Sequence, residues 1–476
     1  MASSFINETS VVYDNKIESW DYLLNCYKGG RNVVQNYLYP WINEENTEVG
    51  KKIFERRKKL TPYANFGRKI VKAYNNYIYR EAPDREEFPE FLTTITGKNS
   101  WEKQIKATSI YTAVTGKCFL LVEKDQIGEG EIANLKEQKD RKLFPYLNAV
   151  PPNNVYNWTR NQNDEIVQIA WYQIIETRFR VFYWDVDQWA IHEAEYDPVK
   201  APSVKTMIEE VTLVDAGPNP LGIVPVVEVI QEDTDLIAGS VTWFNQIVNM
   251  DISYYNKLSV KNLNIDQHAL GILVLPDSYN DASGKDKNTK VGVSYGYFET
   301  ADEKDITRFV SPDTKLTVKE VREDLDYDKM MIYFIAGLTT AKQLNMPQSV
   351  EAKEFDFIEA EKFLTAWANV MEQAEQSALE IVGLYENQDF SNVNVKYHKE
   401  FKSEEIGDLL DNALSIKNYS VPSELFQKFV SKDIITRTTK GKATEDEIKA
   451  MHKEVDDAKM GELENTLNRF EFGQEQ

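Results

Sequence analysis

The chain has 476 residues, 42% of them hydrophobic, with 25 Tyr, 22 Phe and 9 Trp; this excludes an intrinsically disordered protein and suffices for two or three compact regions. Its 77 acidic against 55 basic residues leave a net charge of −22, the wrong sign for a protein that grips nucleic acid tightly. Cys26 and Cys118 lie too far apart for a CxxC metal site and imply no disulfide framework, which fits a reducing cytoplasm; no apolar run approaches a membrane span, and residues 1–10 lack the basic start and apolar stretch of a signal peptide.

Residues 1–100 read as mostly helical. Ile17 to Leu24 is a short amphipathic element stopped by Gly29-Gly30. Between Lys51 and Arg80 stand ten Lys or Arg against one acid, Glu55. Such a stretch is either a solvated helix face or a contact surface, and in so acidic a chain a neighbouring subunit is a better counterpart than DNA. Trp101 to Thr115 reads as a helix, and Gly116 leads into a strand ending at Glu123. Residues 128–142 are polar and charged, as in an exposed loop. From 143 to 230 the apolar period changes to two. Strands are expected at 166–172, 178–184 and 188–193, with Asp185-Val186-Asp187 as a hairpin turn and the Pro- and Gly-rich 215–222 as a turn cluster.

Residues 235–263 carry apolar side chains three or four apart, at Ile237, Val241, Phe244, Val248, Ile252, Tyr255 and Leu258, the pattern of a long helix. Gly271 to Pro276 is a buried-strand pattern, and 277–290 is rich in Asp, Asn, Ser, Gly and Lys, which is loop chemistry. A second helix is expected over 317–336, with Val321, Leu325, Ile332 and Ile335 on one stripe. Gly337 and Pro347 then bracket a polar loop, and a long helix runs from about Val350 to Tyr385. Further helices are expected from Ser403, from Val421-Pro422-Ser423 and from Glu445 to about Asn468; Thr444 with Glu447 makes a capping-box pattern for the last.

No catalytic constellation stands out. Gly116-Lys117-Cys118 and Gly441-Lys442-Ala443 lack the Ser or Thr after Lys and the earlier glycine that a phosphate cradle needs. Gly128-Glu129-Gly130 has no third glycine. His192, His268, His398 and His452 share no ligand spacing. Asp185 and Asp187 suit a turn far better than a magnesium site, and the oxygen donors of 277–290 lack EF-hand spacing. No cofactor is expected.

Helix, strand, polar excursion, helix, then polar loop resembles the stem, clip, stem and tunnel loop of a tailed-bacteriophage portal protein. Pro62 to Val71 followed by Tyr77 to Pro83 is similar to the early helix and proline exit of such portals. Val150 to Trp158 resembles their segment before a hairpin, and Ile223-Val224-Pro225-Val226-Val227-Glu228 their I-P-V-V strand. The order holds from about Tyr13 to Tyr385, and the likeness rests on the series instead of on any one motif. It implies an α+β, mainly helical subunit with a wing at 1–234, stem helices at 235–263 and 317–337, and a clip at 264–316. A tunnel loop at 338–349, a connecting helix at 350–402 and a helical crown at 403–476 complete it. The implied protein is no enzyme. It is a homo-oligomeric ring, usually of twelve subunits, at one capsid vertex of the virion, assembled in the host cytoplasm with major capsid and scaffolding proteins. Double-stranded DNA would pass through it, terminase (through its large subunit) and the head-tail adaptor would dock on it, and no membrane is involved. Thr339, Thr340, Lys342, Gln343, Asn345 and Gln348 would face DNA in the tunnel loop, and Asp277, Asn280, Asp281, Lys285, Asp286 and Lys287 would meet partners at the clip. Another non-enzymatic phage head or tail assembly protein is the alternative, and would not close into a ring with a DNA-wide hole.

Overall fold

A computed structural model describes residues 2–95, 97, 100–124, 143–200, 202–231, 242–268, 272–276, 297–299, 308–310, 315–337, 350–390, 392–399, 428–429, 431–432, 435–436, 439 and 445–457. These residues are mixed α+β, with helix outweighing strand. The chain divides into two units, 1–399 and 400–476.

The first unit opens with helices α1 (Ala2–Ile6), α2 (Val11–Lys28), α3 (Arg31–Asn36), α4 (Ile42–Asn46), α5 (Glu48–Leu60) and α6 (Phe66–Ile78). Local chemistry sets several of their ends. The Ser10 side chain accepts from Tyr13 N to start α2, and Thr47 accepts from Gly50 N to start α5. Asn65 caps α6 from the left-handed region, φ 51°, by accepting from Arg68 N, a conformation asparagine tolerates better than most residues. The element expected at Ile17–Leu24 is thus the middle of a longer helix, α2.

Strand β1 (Asp84–Glu86) and helices α7 (Glu90–Thr93) and α8 (Trp101–Thr115) follow. Gly116 closes α8 at φ 81° and turns the chain into β2 (Lys117–Glu123). Strand β2 is buried along nearly its whole length. It lies between β3 (Tyr146–Val150) and β9 (Val226–Ile230), antiparallel to both. This explains its continuous run Cys118-Phe119-Leu120-Leu121-Val122, since a strand covered on both faces shows no alternation.

A five-stranded antiparallel meander holds β4 (Val155–Arg160), β5 (Ile166–Ile175), β6 (Arg178–Asp185), β7 (Gln188–Glu195) and β8 (Thr212–Pro218). Helix α9 (Val204–Glu210) sits before β8 and is capped by Ser203. One face of the meander buries Ala170, Phe179, Val181 and Tyr183 in a core with Ile6, Tyr13 and Trp20 from the N-terminal helices, while Trp171 stacks on Phe182 on the other face. The turn cluster expected at 215–222 holds only at residues 220–222, because Asp215 to Pro218 complete edge strand β8. An edge tolerates a proline, whose missing N–H costs a ladder bond. Gly217 is there because a Cβ would come within 2.8 Å of the Trp189 ring.

Helix α10 (Trp243–His268) realises the helix expected over 235–263. Thr242 begins it, its hydroxyl accepting from Asn245 N at 3.3 Å, and it continues past Leu263 to His268; residues 235–241 lie outside the described residues. Strands β10 (Ile272–Pro276), β11 (Tyr297–Glu299) and β12 (Arg308–Val310) form a small mixed sheet ordered β11-β10-β12. Helix α11 (Lys315–Ile335) and the 37-residue α12 (Val350–Glu386) come next, and β13 (Asn394–Lys396) pairs antiparallel with β1. In the second unit, α13 (Glu445–Asp457) is tied to the preceding segment by the Lys432–Asp456 ion pair at 2.6 Å. The helix expected from Ser403, the start of the one expected from Val421 and the part of the last one beyond Asp457 lie outside the described residues; residues 428–429, 431–432, 435–436 and 439 are helical.

Glu375 of α12, 0% exposed, fastens three distant parts of the first unit. It accepts from Arg85 Nε at 2.6 Å, Trp101 Nε1 at 2.7 Å and the Tyr397 hydroxyl at 2.7 Å. Removing one partner of a buried ion pair strands the other. Glu375→Ala is therefore expected to lower stability by about 3–5 kcal/mol, and Glu375→Gln, which keeps an acceptor, by less. Urea unfolding of the three proteins checks this; equal midpoints would show that the cluster contributes nothing.

Candidate functional site at the central helices

Helix α10 is packed on two flanks. On one flank it meets α11, where Lys257 Nζ lies 2.7 Å from Asp324 and 2.9 Å from the largely buried Asp328. Burial works against the Lys257 ammonium, and the hydrogen bonds it donates to Asp324 and Asp328, with their negative charge, more than offset it, so its pKa is raised. On the other flank, polar side chains of α10 satisfy backbone groups of the N-terminal helices. Asn256 accepts from Tyr39 N and donates to Tyr37 O, each at 3.0 Å, and Asn262 donates to Leu60 O at 3.3 Å.

Arg57 of α5 is buried at the centre of that second flank. It reaches Glu44 at 2.6 Å, Tyr39 O at 3.0 Å and Ser259 Oγ at 3.1 Å, with its guanidinium 4.2 Å from the Trp41 ring centroid. A residue of the basic 51–80 stretch is thus an internal tie. Arg56 pairs with Asp266 at 2.6 Å, whereas Lys51, Lys52 and Lys59 lie on the exposed side of α5.

The two helices that border 338–349 are fixed at an aromatic junction. Tyr74 of α6 donates its hydroxyl to Ala336 O, at the end of α11. Gly337 takes φ 63° and donates to Phe334 O at 2.9 Å, ending the helix. Helix α12 reaches the same Tyr74 ring through Phe363, whose centroid is 5.4 Å away, and α10 does so through Trp243 at 5.6 Å. Edge-to-face packing of this kind holds rings in defined orientations.

The side chains expected to face DNA, Thr339, Thr340, Lys342, Gln343, Asn345 and Gln348, lie outside the described residues. So do the expected clip residues Asp277, Asn280, Asp281, Lys285, Asp286 and Lys287. The described part of the excursion is the β10–β12 sheet. Asp185 accepts from the Tyr183 hydroxyl at 2.7 Å and from the Asp187 and Gln188 amides at 2.8 and 2.6 Å, which is turn chemistry. Cys26 and Cys118 are free and buried, and burial pushes both thiols up. Among the described residues no three His, Cys, Asp or Glu gather as metal ligands, and no helix is long and apolar enough to cross a membrane.

Asp251 is the residue that sequence reasoning missed. It sits three positions after Val248 in the apolar stripe of α10, and an acid in such a stripe is the signal that was available. It is 0% exposed. One carboxylate oxygen accepts from the Tyr63 hydroxyl at 2.9 Å and from Gly67 N at 3.3 Å, and the other has no protein partner. Burial raises its pKa from 3.8 to about 6, against the hydrogen bonds, which lower it.

No protein-family model matches the chain, and no curated protein matches it.

The raised pKa of Asp251 makes the folded state bind more protons than the unfolded state between pH 3.8 and about 6. Stability therefore falls as pH rises through that window, by roughly 3 kcal/mol for this group in isolation. Asp251→Asn is expected to be more stable than the parent at pH 8 and little different at pH 4. Thermal unfolding at both pH values measures it; a variant destabilised equally at both would refute a charge effect.

Proposed function

We propose that the chain is the portal subunit of a tailed bacteriophage, a ring at one capsid vertex through which double-stranded DNA is packaged and ejected. One observation carries the reading. Two long helices, α10 and α11, pack on each other and flank an excursion containing a small β-sheet, and a polar loop then leads into the 37-residue α12. At 1.5 Å per residue α10 is about 39 Å long, a suitable length for a channel wall.

In this reading α10 and α11 are the stem, the excursion around β10–β12 is the clip, and 338–349 is the tunnel loop. The clip meets the large terminase subunit and the head-tail adaptor, and capsid and scaffolding proteins surround the ring in the virion. The packaging motor's ATPase lies in terminase, consistent with the missing phosphate cradle in this chain. A net charge of −22 suits a channel that repels DNA and lets it slide. The junction at Tyr74 supports the same reading, because it holds the end of α11 and, through Phe363, the body of α12, the two helices that the loop connects.

Electron microscopy of the purified protein with native mass measurement tests the reading. Closed rings of about a dozen copies, with a channel wider than the roughly 20 Å of duplex DNA, are expected. A stable dimer or an open filament would overturn it in favour of another head or tail assembly protein. Within the rings, Lys342 is the lone cation proposed to face DNA at the constriction. Lys342→Ala is expected to leave assembly intact and to change DNA packaging or retention in reconstituted heads. Unchanged packaging and retention would remove Lys342 from that position.

A further inference from the structure

The three helices α5, α10 and α11 form one layer, and its two outer faces carry opposite chemistry. The flanks of α10 fix the order of the layer. Lys257, which pairs with α11, lies roughly 140° to 180° around the helix from Ser259, Asn262 and Asp266, which meet α5, at 100° per residue. Helices α5 and α11 therefore stand on opposite sides of α10.

Each outer helix buries one face and presents the other. Helix α5 buries Gly50 and Arg57 and exposes Lys52 and Lys59 on the reverse side, two turns apart. Glu48 and Glu55 share this exposed side but are paired with Lys51 and Lys58, whereas Lys52 and Lys59 make no ion pair among the described residues, so the side keeps a cationic excess. Helix α11 buries Leu325, Asp328 and Ile332 and exposes Glu320, Glu323, Tyr327 and Phe334 on its reverse side. Glu323 makes only a 3.6 Å surface pair with Lys319. Tyr327 and Phe334 are 54% and 57% exposed. Two outward aromatic rings beside two acids form a face suited to burial against a partner.

We propose that these faces bind each other between subunits: α5 of one copy docks on α11 of the next, with Lys52 and Lys59 meeting Glu320 and Glu323. The apolar stems of the two lysines, with Val49 at the edge of the face (61% exposed), cover Tyr327 and Phe334. The occupant is a second copy of this chain because the complementary face lies on the opposite side of the same layer. A contact between two different faces of identical subunits is heterologous, and it closes into a ring when its rotation allows. The inference rests on the ring reading above and assigns the face that makes the ring.

Charge exchange in the full chain tests it. All four residues are exposed, so Lys52→Glu/Lys59→Glu and Glu320→Lys/Glu323→Lys should fold as the parent does, checked by thermal unfolding. Each pair is expected to raise the concentration needed for assembly at least about tenfold, by native mass and sedimentation, since like charges then face each other. The fourfold exchange should restore assembly. A parent that never forms rings would overturn the ring reading itself. Parent rings with unimpaired reversal variants, or a folded fourfold variant that stays dissociated, would overturn this interface alone. Intact rings with weakened DNA retention in Lys52→Glu/Lys59→Glu would also overturn it, and would assign the lysines to DNA.

Discussion

Tyr74 stands where four helices far apart in sequence converge, and it answers two demands at once. Its ring meets Trp243 and Phe363 edge-on, and its hydroxyl takes the Ala336 carbonyl at the end of α11. A helix end leaves its last carbonyls without intrahelical donors, and a buried one needs a partner. Without this hydroxyl the end of α11 would have to reach solvent or another donor, and the position of α11 against α10 would lose one of its fixed points. The packing of α6, α10, α11 and α12 around one ring is therefore also the means by which the helix end is satisfied.

The same economy runs along α10. A long helix covered on opposite flanks has little room for unpaired polarity, yet it carries Asn249, Asp251, Asn256, Lys257, Ser259 and Asn262. Each is committed. The asparagines bond to Tyr22, Tyr37, Tyr39 and Leu60, Lys257 to α11, and Ser259 to Arg57. These bonds fix register as well as burial, because an amide that reads backbone groups of an irregular segment fits at one position only. Asp251 is the exception in charge. Its carboxylate is hydrogen-bonded and feels Lys69 only as a lesser influence, and desolvation dominates.

Much of this fold was legible from local pattern, because the elements rest on local rules. Helix α8 lies where its periodicity and Gly116 put it, and the Asp185 hairpin follows from turn chemistry. Helices α11 and α12 begin and end within a few residues of the expected positions. What stayed hidden is what distance in sequence conceals. Nothing in the residues near Glu375 reveals that Arg85 and Tyr397 will converge on it, or that β1 will pair with β13. Residues 215–218 look like a turn because Gly217 and Pro218 are turn residues by type, and only an edge position with Trp189 beside it makes them strand residues. At the candidate site, the helices that border the loop were legible, whereas Asp251 was masked by the apolar stripe that surrounds it.

Charge distribution carries the last step. A chain of net charge −22 repels its own copies over a distance set by screening, and that repulsion opposes any assembly of identical subunits. Spreading the cations evenly would leave every face acidic. Gathering ten of them into residues 51–80 does the opposite. One of that set, Arg57, is withdrawn inside the subunit against Glu44, and Arg56, still half exposed, is paired with Asp266. On α5, Lys52 and Lys59 stay exposed without an ion pair among the described residues on one side of the α5–α10–α11 layer, while Glu320, Glu323 with its partner Lys319, and two aromatic rings occupy the other. Between copies, such a layer attracts in one relative orientation and repels in the inverted ones. Orientation is the property that a head-to-tail array requires, and a uniformly acidic surface cannot provide it.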